Sequence, residues 1–370
     1  MRRRRNGGSR VAALVGAALV LAVVVSCDQA GQSDAGPGKQ SQSLLVWIPD
    51  GEYRFLGFAD LEGIARSGFG RRVASFNRHI KLWDSKLGIG IERFHTLAWA
   101  VAFPEDLDGE FETLAILDGE VTEEEVLRLI GEKRRYFELE EVGDANLYFS
   151  GSDFGFAFID ENIVALGTTE MVRNSLAFHS GGGTSVLDGE GIRPFRPFLV
   201  ATDDFWLGID GIESMIGPLV EEYPLLQTFL TLRVGYIGVD AADDVTLRVK
   251  ALCSSAEDAL NIARGLRAIV GLLNMLIQSE DISRSVDSTG DVETLKRHLI
   301  QMLDSVQVEQ DEMEISIVLI IPGDIADYFV DITREIVSRG DYGPDGEGGE
   351  HTDIESPRSE GPAGDGLPIP

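Results

Sequence analysis

FHTLAWAVAFPEDLDGEFETLAILDGEVTEEEVLRLI, residues 94–130, holds two apolar, strand-forming segments around an acidic turn, followed by a helix that opens with acids. Its Asp108-Gly109 pair is a strong hairpin signal, because both residues tolerate the positive φ that a tight turn requires. A second stretch, LRVGYIGVDAADDVTLRVKALCSSAEDALNIARGL at residues 232–266, has the same order of parts. The acids of PEDLDGE suit a turn; a calcium loop needs more alternating oxygen ligands and a closing Glu.

Upstream of each stretch lies a further matching piece. YRFLGFADLEGIARSG (53–68) and DFWLGIDGIESMIGPL (204–219) each give a strand, an aspartate and a helix start. Asp60 and Asp210 fit N-caps, whose carboxylates accept orphan amide hydrogens of the first helical turn. Downstream, strands are expected near 136–142, 146–150 and 154–166, with a helix from Thr168 to Phe178. The second half offers strands near 305–309 and 313–321 and a helix over 323–338. The reading is an α+β fold of two related units, each a mostly antiparallel sheet with helices packed on one face. Unit 1 covers 44–190 and unit 2 covers 191–338.

What precedes these units concerns location. The chain opens MRRRRNGGSR, then VAALVGAALVLAVVV, fifteen residues without a polar side chain. A basic segment, a short apolar segment and small residues before a cut site describe a secretory signal peptide, here residues 1–26. Val24-Val25-Ser26-Cys27 resembles the lipobox of bacterial lipoproteins. The resemblance covers residues 1–27 and implies diacylglycerol on the Cys27 thiol, cleavage before that residue, and a bacterial envelope location facing away from the cytoplasm. The remainder resembles, in pattern, uncharacterised duplicated α+β envelope lipoproteins. Residues 27–43 then read as a lipidated cysteine and a flexible tether. Its sixteen polar and small residues after Cys27 would reach on the order of 20–25 Å.

Removing five arginines with residues 1–26 leaves 27 basic against 62 acidic side chains, a formal net charge of −35. Such a surface repels nucleic acid, whose binding needs a basic footprint. Residues 339–370, rich in Gly, Pro, Asp and Glu, read as a disordered acidic tail. With Cys27 acylated, Cys253 has no intrachain disulfide partner, and a small buried hydrophobe is its expected role.

Two helices carry surface information. In RRVASFNRHIKLWDSKL (71–87), Val73, Phe76, Ile80, Trp83 and Leu87 form one helical stripe beside a basic outer face. That stripe reads as core-facing, or as a contact with anionic headgroups or an acidic partner. GLRAIVGLLNMLI (265–277), with Leu272, Leu273 and Leu276, is apolar nearly all round. Burial between layers is the expected role for such a helix, and the wall of a lipid-binding groove is the alternative.

The search for chemistry returns no HExxH, GxSxG, SxxK, GxxxxGK[ST] or CxxC pattern, and no metal-ligand spacing among five histidines. No catalytic residue, metal or cofactor is assigned. The expectation is a non-enzymatic, lipid-anchored envelope protein presenting a binding or scaffold surface to a protein or lipid partner. A carrier or sensor of a hydrophobic ligand is the alternative.

Overall fold

The computed structural model describes residues 44–67, 93–103, 111–132, 137–151, 154–199, 203–278 and 292–325. The signal segment, Cys27, the tether, the 71–87 helix with Phe76, Ile80 and Trp83, the Asp108-Gly109 turn, most of the 323–338 helix and the tail lie outside them.

Among the described residues twelve strands form one antiparallel sheet. In chain order they are β1 (Phe55–Asp60), β2 (Phe94–Ala102), β3 (Glu112–Gly119), β4 (Glu138–Val142), β5 (Ala145–Ser150) and β6 (Phe154–Asp160). The rest are β7 (Ile163–Gly167), β8 (Phe205–Asp210), β9 (Leu232–Ala241), β10 (Val245–Cys253), β11 (Gln307–Asp311) and β12 (Glu314–Ile321). Across the sheet the order is β11-β12-β10-β9-β8-β1-β2-β3-β7-β6-β5-β4. The strands of residues 44–190 and 191–338 therefore meet at the β1–β8 pair and continue as one sheet.

The order runs the same way outward from that seam. From β1 it passes through β2, β3, β7 and β6; from β8 it passes through β9, β10, β12 and β11. Register follows suit. Asp60 faces Thr96 and Asp210 faces Val234, so β2 and β9 correspond at an offset of 138 residues. The stretches that start at 94 and 232 differ by the same 138. One pair further out, Trp99 faces Ala115 and Ile237 faces Val249.

Central strands are covered on both faces, as their sequences require. β1, FLGFAD, is buried at every position, whereas β2 alternates between buried and half-buried residues. The two edge strands, ELEEV and QVEQD, carry carboxylates that disfavour pairing with another chain's edge.

Helices lie on both faces, which corrects the expectation of one. Ile116 and Ala165 are register partners in one apolar cluster, with Met171, Val172 and Leu176 of α3 (Thr169–Gly181). Their strand neighbours Leu117 and Val164 point the other way, into a cluster with Val126 of α2 (Glu123–Glu132) and Leu61 and Ile64 of α1 (Leu61–Arg66). Successive strand residues alternate faces, so a continuously apolar strand demands cover on both.

Local corrections have local causes. The expected strand over 154–166 is two strands, β6 and β7, broken at Glu161-Asn162, the polar pair between two apolar runs. Asp60 caps α1: its Oδ1 accepts the Gly63 amide at 2.7 Å. Asp210 does not repeat this before α4 (Ile212–Glu222); it accepts the amide of Gly211, which sits at φ 67° and separates it from the helix. α3 ends as a glycine allows, with Gly182 at φ 72° donating its amide to the Phe178 carbonyl at 3.0 Å.

Candidate functional site

The long helix α5 (Ala256–Gln278) follows β10 directly. A capping arrangement starts it: the Ser255 hydroxyl accepts the Asp258 amide at 3.1 Å and donates to the Asp258 carboxylate at 2.6 Å. The first two turns pack on the sheet, where Ala259, Ile262 and Ala263 are buried with Cys253 and Ile315. Burial raises the Cys253 thiol to about 11, with the charge of Asp258 adding to it, so the thiol is a protonated core group.

Beyond Leu266 the helix continues past this cluster. The Arg267 guanidinium pins it to edge strand β11, its Nε and Nη2 donating to the Val308 carbonyl at 3.1 and 2.8 Å. Leu266, Val270, Asn274 and Ile277 then form a half-buried inner stripe at helical spacing. The outer stripe is Ile269, Leu272, Leu273 and Leu276, exposed by 51, 58, 42 and 52 %, with Met275 beside it at 72 %. This overturns the expected burial of 265–277: the apolar residues face outward because the sheet ends before the helix does.

A helix that the sequence reading passed over, α6 (Val292–Ser305), lies against α5. Its apolar Leu295, Leu299, Ile300 and Leu303 keep helical spacing, and that is the signal for it. The Asn274 amide nitrogen donates to Asp304 Oδ1 at 3.0 Å. Because Arg267 meets Val308 and Asn274 meets Asp304, the two chains run antiparallel. The last turns of α6 thus lie beside the C-terminal end of α5. Nearer the start of α6, Thr294, Lys296, Arg297 and Ile300 line a groove of about 330 Å³.

Two other places hold charged groups in numbers. Just before β8, Asp203 is buried and accepts the Tyr236 hydroxyl at 2.6 Å, and it pairs with Arg248, whose Nη2 also lies 3.7 Å from Asp240. Burial pushes the Asp203 carboxyl up, against the pull of Tyr236 and Arg248. Burial raises Asp204 to about 6, opposed by the bond from the Ala241 amide at 2.8 Å and helped by the charges of Asp60, Asp240 and Asp203. These contacts tie the segment before β8 to β9 and β10, so the network braces that side of the sheet.

The second place is a cleft of about 570 Å³ between Asp50, Glu52, Tyr53, Arg54, Phe103, Glu190 and Asp210. Several of its polar groups serve its own walls. Asp50 accepts the Glu190 and Gly191 amides at 3.2 and 2.8 Å, Glu190 pairs with Arg193, and Tyr53 donates to the Pro49 carbonyl. Among the described residues no group of three or more His, Cys, Asp or Glu side chains is placed to hold a metal ion.

Of the residues singled out from sequence, Leu272, Leu273 and Leu276 come together on one exposed face; Lys296 and Arg297 of the neighbouring α6 were missed. A mixed α+β fold on a large antiparallel sheet, with an apolar helix face at its surface, is the class defined here. No protein-family model and no curated protein matches the chain. Among solved structures it is similar to crystal form III of TP0453, with a TM-score of 0.43 and 9 % identity over 82 % of this chain and 100 % of that one. Crystal form IV gives 0.44 and 12 % over 81 and 99 %, and crystal form I gives 0.40 and 10 % over 78 and 96 %.

Proposed function

We propose that this is a lipid-anchored protein of the bacterial envelope, acting without catalysis as a docking platform built from two related α+β units. Cys27 is the attachment point, and the body faces away from the cytoplasm. The relatedness of the units is supported by the strand order that repeats outward from β1 and β8 and by the shared offset of 138 residues.

The observation that carries the docking role is the outer stripe of α5. The equivalent helix of the first unit, α2, has ten residues and places Val126 in the core; α5 has twenty-three. The extra length keeps one half-buried inner stripe and leaves five large apolar side chains 42–72 % exposed. A contiguous apolar patch on a soluble body marks a surface that another body covers.

Carbene footprinting tests this. In intact envelopes residues 269–276 should be labelled far less than in the purified, unassembled protein, while Leu139 on edge strand β4 is labelled equally in both. Equal labelling of 269–276 would end the docking reading. Native mass spectrometry serves the carrier alternative: a lipid retained at fixed stoichiometry by purified protein would replace the platform with a carrier.

A further inference from the structure

The covering body can be specified, on the premise that the α5 stripe is a docking surface. From Ala259 to Gln278 the chain has no carboxylate, in a protein that holds 62. Within that span Arg264 and Arg267 are exposed, and Lys296 and Arg297 lie on α6, the helix that packs against α5. The helix pair that carries the exposed apolar stripe thus holds four cations on a strongly anionic chain. A stripe-on-stripe contact with a second copy would bring the same cations together, which disfavours it. Charge complementarity favours an anionic surface with an apolar layer beneath it.

A helix with an apolar face and basic flanks lies in the plane of a membrane interface, its apolar side chains sunk about 5–10 Å and its cations among the headgroups. α5 is about 35 Å long, enough to cross a bilayer by length. Its first turns, with Glu257 and Asp258, are fixed on the sheet through Ala259, Ile262 and Ala263, so it lies along a surface. The anchor read at Cys27 would hold the body at that same surface. One acyl chain binds only marginally, and further contacts make attachment durable.

We propose that the outer stripe of α5, together with Lys296 and Arg297 of the neighbouring α6, seats in the headgroup region of a phospholipid bilayer that carries anionic lipid. Leu272, Leu273 and Leu276 enter the acyl boundary. The α6 groove, with two cations and the Thr294 hydroxyl, receives a headgroup phosphate.

The test uses the full, lipid-modified protein in vesicles, with an environment-sensitive fluorophore on Leu276→Cys. Cys253 is buried and does not compete for label, and Leu139→Cys provides a control on exposed β4. Vesicles contain phosphatidylglycerol and phosphatidylcholine in equal parts, or phosphatidylcholine alone, each with and without a doxyl-labelled lipid quencher. The expected result is blue-shifted emission quenched by doxyl lipid at 276 and not at 139. Quenching should be stronger in the anionic vesicles and reduced by Lys296→Glu with Arg297→Glu. Water-like, unquenched emission at 276 in both vesicle types overturns the bilayer as partner, while the docking reading is decided by the footprint in intact envelopes. Blue-shifted but unquenched emission means that a second copy of the chain covers the stripe, which overturns the bilayer as partner and leaves the docking surface standing. Equal quenching in neutral vesicles, unchanged by the charge reversals, overturns the headgroup role of the two cations.

Discussion

Gly57 and Leu207 face each other across the β1–β8 seam, and on the other side of β1 the Trp99 indole fills the space where Gly57 would carry a side chain. The centre of the sheet is therefore packed through an absent Cβ. Gly57→Ala should cost about 1–3 kcal/mol, the usual range for forcing extra volume into a filled core. Urea unfolding followed by tryptophan emission reads the loss, together with a changed native spectrum as Trp99 is displaced. A native-like midpoint and spectrum would show that the indole yields freely.

Asp204 carries a stability that depends on pH. Its carboxyl is raised in the folded state to about 6 from an ordinary 3.8, mainly by burial. A raised folded value means that the favourable protonated form is fully available below the ordinary value and is lost as pH rises through 6. Asp204→Asn keeps an acceptor for the Ala241 amide and removes the charge. It should stabilise the protein at pH 7.5 by roughly 2 kcal/mol, with the gain fading between about pH 6 and pH 4. Paired urea titrations at pH 7.5 and 4 measure it; a pH-independent effect would contradict burial as the cause.

Cys253 should resist thiol reagents in the native state. It is buried beneath α5, and its thiol stays protonated at neutral pH. Labelling at pH 8 should proceed at the rate of unfolding, and Cys253→Ala should remain folded with a modest loss of stability. Rapid labelling of the native chain would mean that α5 lifts from the sheet.

The α5 stripe should be dispensable for folding. Since Leu272, Leu273 and Leu276 are 42–58 % exposed, changing each to Ser should shift stability by within about 0.5 kcal/mol. The same changes should abolish protection of 269–276 in envelopes. A large loss of stability would place these residues in the core that the sequence pattern first suggested.

That pattern shows what was legible and what was not. Strand alternation and the Asp60 cap gave most of the antiparallel sheet, because these signals are local. The β6–β7 turn was missed because Glu161-Asn162 is a two-residue break inside an otherwise continuous apolar run. Helices on both faces follow from strands apolar along nearly their whole length, such as FLGFAD, a feature the one-face reading did not use. The exposure of Leu272, Leu273 and Leu276 was not legible, since burial depends on where the neighbouring sheet ends. Position 266 falls near that boundary, and nothing in GLRAIVGLLNMLI marks it.

The platform account stands first on its attachment point, and mass spectrometry of the N-terminal peptide from membrane-derived protein tests that point most directly. The account predicts a chain that begins at Cys27 and carries a diacylglyceryl group on the thiol, and it predicts that Cys27→Ser abolishes the modification and releases the protein from membranes. An unmodified Cys27 thiol on protein recovered in a soluble extracellular fraction would contradict it.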